Sequence, residues 1–192
     1  MPSIIPGVIA SGKSGHLWSP SSSDYQSIST ATVTSGGTAS ITFSSIPTTF
    51  THLQIRMMGR IEYAATVDWV LIRLNSDSTS NYSTHYLYGD GSTPTATAAT
   101  SVSYGLTGVL PGSSATASIF GVSVVDILDY GSTAKNKTIR ALWGSDLNGS
   151  GRTGLQSSLY FTNTNAVSTI TLTPSSAANF SEFSKFSLYG VK

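Results

Sequence analysis

This sequence predicts an all-β protein, an antiparallel β-sandwich of about ten strands with jelly-roll topology and an extended N-terminal arm. Three observations predict it. Ser and Thr together make up 60 of 192 residues, while only 10% are charged, far below the roughly 25% of an ordinary globular chain. The Lys, Glu and Arg that cover exposed helices are therefore scarce, and the Thr, Val, Ile, Tyr and Phe that suit pleated surfaces are abundant. Short alternating runs follow one another with turn signals at sandwich-like spacing, and no segment sustains a helical period. The chain is also 39% hydrophobic and 10% aromatic, enough to build a core where a disordered chain would lack one.

The elements follow in order. Residues 1–24 form the arm, with Pro2, Pro6 and Pro20, the apolar Ile4, Ile5, Val8 and Ile9, then His16, Leu17 and Trp18, and a Ser-rich run at 19–23. Residues 25–192 form the β-sandwich domain. Strands are predicted at 27–33 and 38–43, flanking a hairpin turn at Gly36-Gly37, and at 50–60. Residues 67–75 alternate as a strand, with Asp68, Val70, Ile72 and Leu74 on one side and Trp69, Leu71 and Arg73 on the other. The polar turn 75–81 then makes a hairpin with 82–88. Asp90-Gly91 is a second hairpin turn. Residues 91–100 read as a Ser/Thr/Ala loop and 101–109 as a weaker strand ended by Pro111-Gly112. The most apolar run, 118–130, is a central strand, and 137–143, 155–161, 167–173 and 183–191 complete the set.

Charge and cysteine usage bound the function classes. Net charge is +1 and the ten basic residues are spread thinly, so no basic stripe speaks for nucleic acid. Lys135, Lys137 and Arg140 read as a solvated loop and strand start. Cysteine is absent, which removes disulfides, thiolate metal sites and a cysteine nucleophile. There is no transmembrane run. The start MPSIIPGVIA has no charged n-region and is broken by Pro6, a poor signal peptide; the expected site of synthesis is a cytoplasm.

Several motifs hint at chemistry. Gly7, Gly12, Lys13 and Ser14 match the phosphate-loop pattern, but that loop needs a buried strand before it and a helix after it. Here only six residues precede, two of them proline, and GHLWSPSSS follows. Two facing carboxylates would mark a glycosidase; Asp126 and Asp129, three apart, point to opposite faces of a strand. His16, His52 and His85 are scattered, and no nucleophile elbow is present. Asn75, Asp77 and Asn81 make an oxygen-rich turn without the order of a calcium loop. Trp69, Tyr82, Tyr86, Tyr88, Trp143 and Tyr160 read as cross-strand packing, with a sugar-stacking face as the alternative. Four Asn-x-Ser/Thr triplets, at Asn81, Asn136, Asn148 and Asn179, carry no weight without a secretion signal.

Four pieces carry a resemblance: SSIPTTFTHLQIR (44–56), LIRLNSDSTSNYSTHYLYGDGS (71–92), FGVSVVDILDY (120–130) and TNAVSTITLTPSSAANFSEFSKFSLYGVK (164–192). The Asn-Tyr-Ser and the two Leu-Tyr-Gly segments are the more specific. From about Tyr25 onward the chain resembles a family of bacteriophage virion structural proteins. The resemblance implies a β-sandwich module without enzymatic activity or cofactor, located in the virion. The expected role is a capsid decoration or cement protein, a homo-oligomer such as a trimer, whose partner is the major capsid protein or another virion protein, with no nucleic acid and no membrane. Residues 1–24 lie outside the shared region. The arm residues Ile4, Ile5, Val8, Ile9, His16, Leu17 and Trp18 are the expected contacts. A tail-tip or fibre protein binding a host glycan or protein, through the aromatics and the loops near 91–100 and 144–154, is the alternative.

Overall fold

The computed structural model describes residues 24–161 and 163–192. The arm contacts Ile4, Ile5, Val8, Ile9, His16, Leu17 and Trp18, and the phosphate-loop-like Gly7 to Ser14, lie outside the described residues.

Twelve strands and no helix make up the regular structure of the described residues. They are β1 (Tyr25–Thr32), β2 (Ile41–Phe43), β3 (His52–Gly59), β4 (Val67–Leu74), β5 (Tyr82–Gly89), β6 (Pro94–Val102), β7 (Gly105–Pro111), β8 (Gly121–Leu128), β9 (Lys137–Asp146), β10 (Gly151–Tyr160), β11 (Ile170–Pro174) and β12 (Lys185–Val191). They form two antiparallel sheets, a large one in the order β1-β12-β3-β8-β9-β10-β5-β6 and a small one in the order β2-β11-β4-β7. The chain passes between sheets at eight of the eleven connections between these strands. Without the β9–β10 hairpin and the flanking β1 and β12, four strands face four in the double Greek-key order of a jelly roll. The predicted fold class is thus the observed one, with β9–β10 inserted into the middle of the large sheet.

The core lies between the sheets and follows from alternation. On β9, Ile139, Ala141 and Trp143 point inward; on β3, Leu53, Ile55 and Met57; on β4, Val70, Ile72 and Leu74. Burying such side chains contributes about 1.5–3 kcal/mol each before entropy is counted.

Four expectations are corrected. There are twelve strands, not about ten. Residues 94–100, read as part of a loop, belong to edge strand β6, because pairing with β5 from Tyr82↔Val102 to Gly89↔Pro94 supplies the backbone partners that Ala and Thr cannot advertise. Gly36 and Gly37 do not close a hairpin: β1 joins the large sheet and β2 the small one. Gly37, at φ +69, sits where a Cβ would meet the Glu62 side chain and the Phe180 carbonyl at 2.8 Å, so it serves a close crossing between sheets. The turn 75–81 is likewise a crossover, since β4 lies in the small sheet and β5 in the large. Asp90-Gly91 does turn the β5–β6 hairpin.

Candidate interaction face and loop pocket

The titratable residues raised by the sequence hold turns and strand pairs. Asp77 accepts from the Thr79 backbone N–H (2.8 Å) and hydroxyl (2.5 Å), from Asn81 Nδ2 (2.8 Å) and from the Tyr160 hydroxyl (2.8 Å). Burial alone would raise its pKa, but these donors outweigh it and bring it to about 2. Tyr160 stacks on Tyr82 with centroids 4.7 Å apart, and the Leu74 N–H donates to the Tyr82 hydroxyl at 2.9 Å. Desolvation pushes Tyr160 up to about 12 and Tyr82 higher still. The oxygen-rich turn is therefore a lock between the sheets, its carboxylate already satisfied by protein donors.

Asp90 Oδ1 accepts from the Thr93 and Ser92 N–H groups and the Ser92 hydroxyl, which bring its pKa to about 2. Asp126 pairs with Arg140 at 3.0 Å and accepts from Gln54 at 2.9 Å. Asp129 stands in the turn after β8 with Lys135 at 2.6 Å, and its backbone N–H donates to His52 Nδ1 at 3.0 Å. Lys137 departs from the solvated cluster that the sequence suggests. It is fully buried; its ammonium donates to the carbonyls of Ser132, Lys135 (2.8 Å) and Thr164 (3.0 Å), and desolvation lowers its pKa.

The aromatic residues pack on one another. Tyr82 and Tyr160 are wholly buried, and Trp143 is 2% exposed. Trp69 from the small sheet meets Tyr86 at 4.7 Å and Trp143 at 5.5 Å, and Arg152 covers Tyr88 at 4.9 Å. Packing, not an open sugar platform, accounts for all six. Beside them, both amide atoms of Gln156, which is 1% exposed, and Trp143 Nε1 have no hydrogen-bond partner among the described residues.

The outer face of the large sheet carries an apolar strip. Directly paired residues on it run Val124–Leu142–Leu155–Leu87–Ala96 across five strands. Leu142 is 66% and Leu155 55% exposed. Met58 and Val122 lie in the next row on one side; on the other, Leu128 and Leu159 lie beyond the polar row Asp126–Arg140–Ser157–His85. Of the eleven exposed large hydrophobic residues among those described, these four, with Val124, Leu142, Leu155 and Leu87, account for eight. A solvated sheet face carries polar residues at such positions, and contiguous apolar surface marks an interaction site.

One end of that face is a pocket of about 610 Å³. Its floor is the row Val122–Gly144–Thr153–Gly89, where two positions lack side chains. A Cβ on Gly89 would meet nothing within 4 Å, and one on Gly144 only Thr153. The β5–β6 turn with Asp90 and Gly91 and the β9–β10 turn with Asp146 and Gly149 wall it. The structure thus brings together parts of the two loop regions, 91–100 and 144–154, that the sequence singled out. An adjoining apolar groove of about 440 Å³ is lined by His85, Leu87, Ala96, Ala98 and Leu155.

Comparison with protein-family models, with curated proteins and with solved structures gave no match. The face itself is not among the features that the sequence pointed to. Its signal is apolar residues at both parities of one strand: Ile139, Ala141 and Trp143 alternate inward on β9 while Leu142 interrupts them outward, and on β8 Val122, Val124 and Leu128 face out while Val125 and Ile127 face in.

Proposed function

We propose that this chain is a structural component of a bacteriophage particle, a capsid decoration or cement protein that works by association and not by catalysis. The observation that carries the reading is the apolar strip on the outer face of the large sheet. A chain with 10% charged residues and such a face is built to be covered in its working state. The virion-protein resemblance of the four sequence blocks supports the same reading, and the engagement of Asp77, Asp90, Asp126 and Asp129 in turns and strand pairs leaves their carboxylates structural roles. The partner is the major capsid protein or another virion protein, reached through the sheet face and the arm. Quantitative mass spectrometry of purified particles tests it: hundreds of copies per particle are expected, and a chain absent from the particles sinks the proposal.

A second reading, a tail-tip or fibre protein that binds a host glycan, is favoured by the pocket between the β5–β6 and β9–β10 turns. A handful of copies per particle, with loss of adsorption on Gly89→Leu, is its expected signature. Trp143, being buried, is no test residue for it.

A further inference from the structure

The register of the large sheet makes its outer face complementary to itself. Resting on the particle-component reading, we propose that the first occupant of this face is a second copy of the chain, packed back to back about a two-fold axis that lies in the interface parallel to β9 and β10 and midway between them.

The complementarity runs row by row. Such an axis sets β8 over the partner's β5 and β9 over the partner's β10, and keeps each cross-strand row over its own row. In the first row, Val122, 53% exposed, then stands over the partner's Gly89, a position with open space where its Cβ would be, and Thr153 stands over the partner's Gly144. A knob meets a dip twice over, by symmetry. In the second row, Val124 and Leu142 meet the partner's Leu87 and the partner's Leu155, apolar on apolar. In the third, Asp126 stands over the partner's His85 and Arg140 over the partner's Ser157. Asp126 and Arg140, already paired with each other within one chain at 3.0 Å, thus face polar partners, and Arg56 on β3, beside Val124, faces the partner's Ala96 at the rim. In the fourth, Leu128 lies over the partner's Ser83 and Leu159 over the partner's Thr138, large on small again.

The size fits. Six strands, β3 to β6, about 4.8 Å apart and some eight residues long at about 3.3 Å each, span roughly 700 Å². A standard stable interface covers about 800 Å² per partner. Sheets packed in this way stay roughly 10 Å apart and cross at about 30°, which keeps the central rows in contact. A net charge of +1 sets up little repulsion between copies.

Light scattering and sedimentation of the full chain test the pairing. Twice the chain mass is expected for the wild type, and Leu142→Glu should weaken self-association about 100-fold, since it brings two unpaired carboxylates into the apolar row. Tyr63→Glu, at an exposed position in the β3–β4 loop outside the paired rows, should leave the dimer intact. The chain lacks cysteine, so Leu142→Cys with a short bismaleimide should yield a covalent dimer. A monomer, a trimer, or a dimer indifferent to Leu142→Glu overturns the two-fold pairing. A monomer that still enters particles overturns the pairing and leaves the particle reading standing. A dimer never found on particles upholds the pairing and overturns the particle reading.

Discussion

At the scale of single residues, Asp77 and Gln156 are opposite cases of burial chemistry. Asp77 has more donors than a turn carboxylate needs. Hydrogen bonds to a charged group contribute about 1.5–3 kcal/mol, so Asp77→Ala should cost about 2 kcal/mol in denaturant unfolding. The pH dependence has a definite sign. The folded pKa, about 2, lies below the roughly 3.9 of an unfolded Asp. The contribution is therefore complete above about pH 4 and lost as pH falls through 2. Asp90, also at about 2, acts in the same window. Urea midpoints taken from pH 5 to 2 should fall for the wild type and fall less steeply for Asp77→Asn; an unchanged slope would show that the turn does not depend on the charge. Gln156 has a buried amide with neither atom paired among the described residues. Replacing a buried, unpaired polar group by an apolar one of similar shape is neutral or stabilising. Gln156→Met should therefore raise stability by up to about 1 kcal/mol. A loss of more than about 1 kcal/mol would mean that the amide has partners in solution.

At the scale of elements, strand pairing depends on places where one backbone must come close to another. Gly108 on β7 stands at φ +126, and a Cβ there would lie 2.7 Å from Trp143 Cβ and Cγ. It faces Val70 beside the bulge between β4 and β7. Strain and overpacking act together at this position, so Gly108→Ala should cost about 2–3 kcal/mol. Thermal unfolding would measure it, and a variant as stable as the wild type would show that Trp143 moves freely. The same strands explain what the sequence could tell. Alternation at Val70, Ile72 and Leu74, or at Ile139, Ala141 and Trp143, is local, so strand identity and the inward face were legible. Sheet membership is not local. The turn 75–81 looks like a hairpin because polar turns of that length close hairpins, yet Tyr82, Tyr160 and Asp77 fasten it across two sheets through contacts up to 83 residues apart. Strand β6 stayed hidden because Ala and Thr give no period; its pairing with β5 defines it. The apolar strip stayed hidden because an outward Leu becomes conspicuous only when its cross-strand neighbours are also apolar.

At the scale of the whole molecule, the proposed function gives the sandwich and residues 1–18 separable duties. Strand β1, the first described strand, is fixed by pairing with β12 from Tyr25↔Val191 to Thr32↔Lys185, and the Lys192 N–H donates to the Asp24 carbonyl at 3.0 Å. Among the described residues the hydrogen-bonded edge thus begins at residue 24, and the buried core begins at Val33. Removing residues 1–18 leaves every residue of that pairing and of that core in the chain. The truncated chain should unfold within about 2 °C of the full one, because an unchanged core leaves the enthalpy and entropy of unfolding nearly unchanged. Its binding to particles should nevertheless be lost. Ile4, Ile5, Val8, Ile9, Leu17 and Trp18 present apolar area which, at about 25 cal/mol per Å², contributes several kcal/mol per docked copy before ordering costs. Co-sedimentation of the truncated and full chains with particles stripped of the protein separates the two duties. Equal binding would leave attachment to the sheet face alone. Loss of binding with the fold and dimer intact would assign attachment to the arm and pairing to the face.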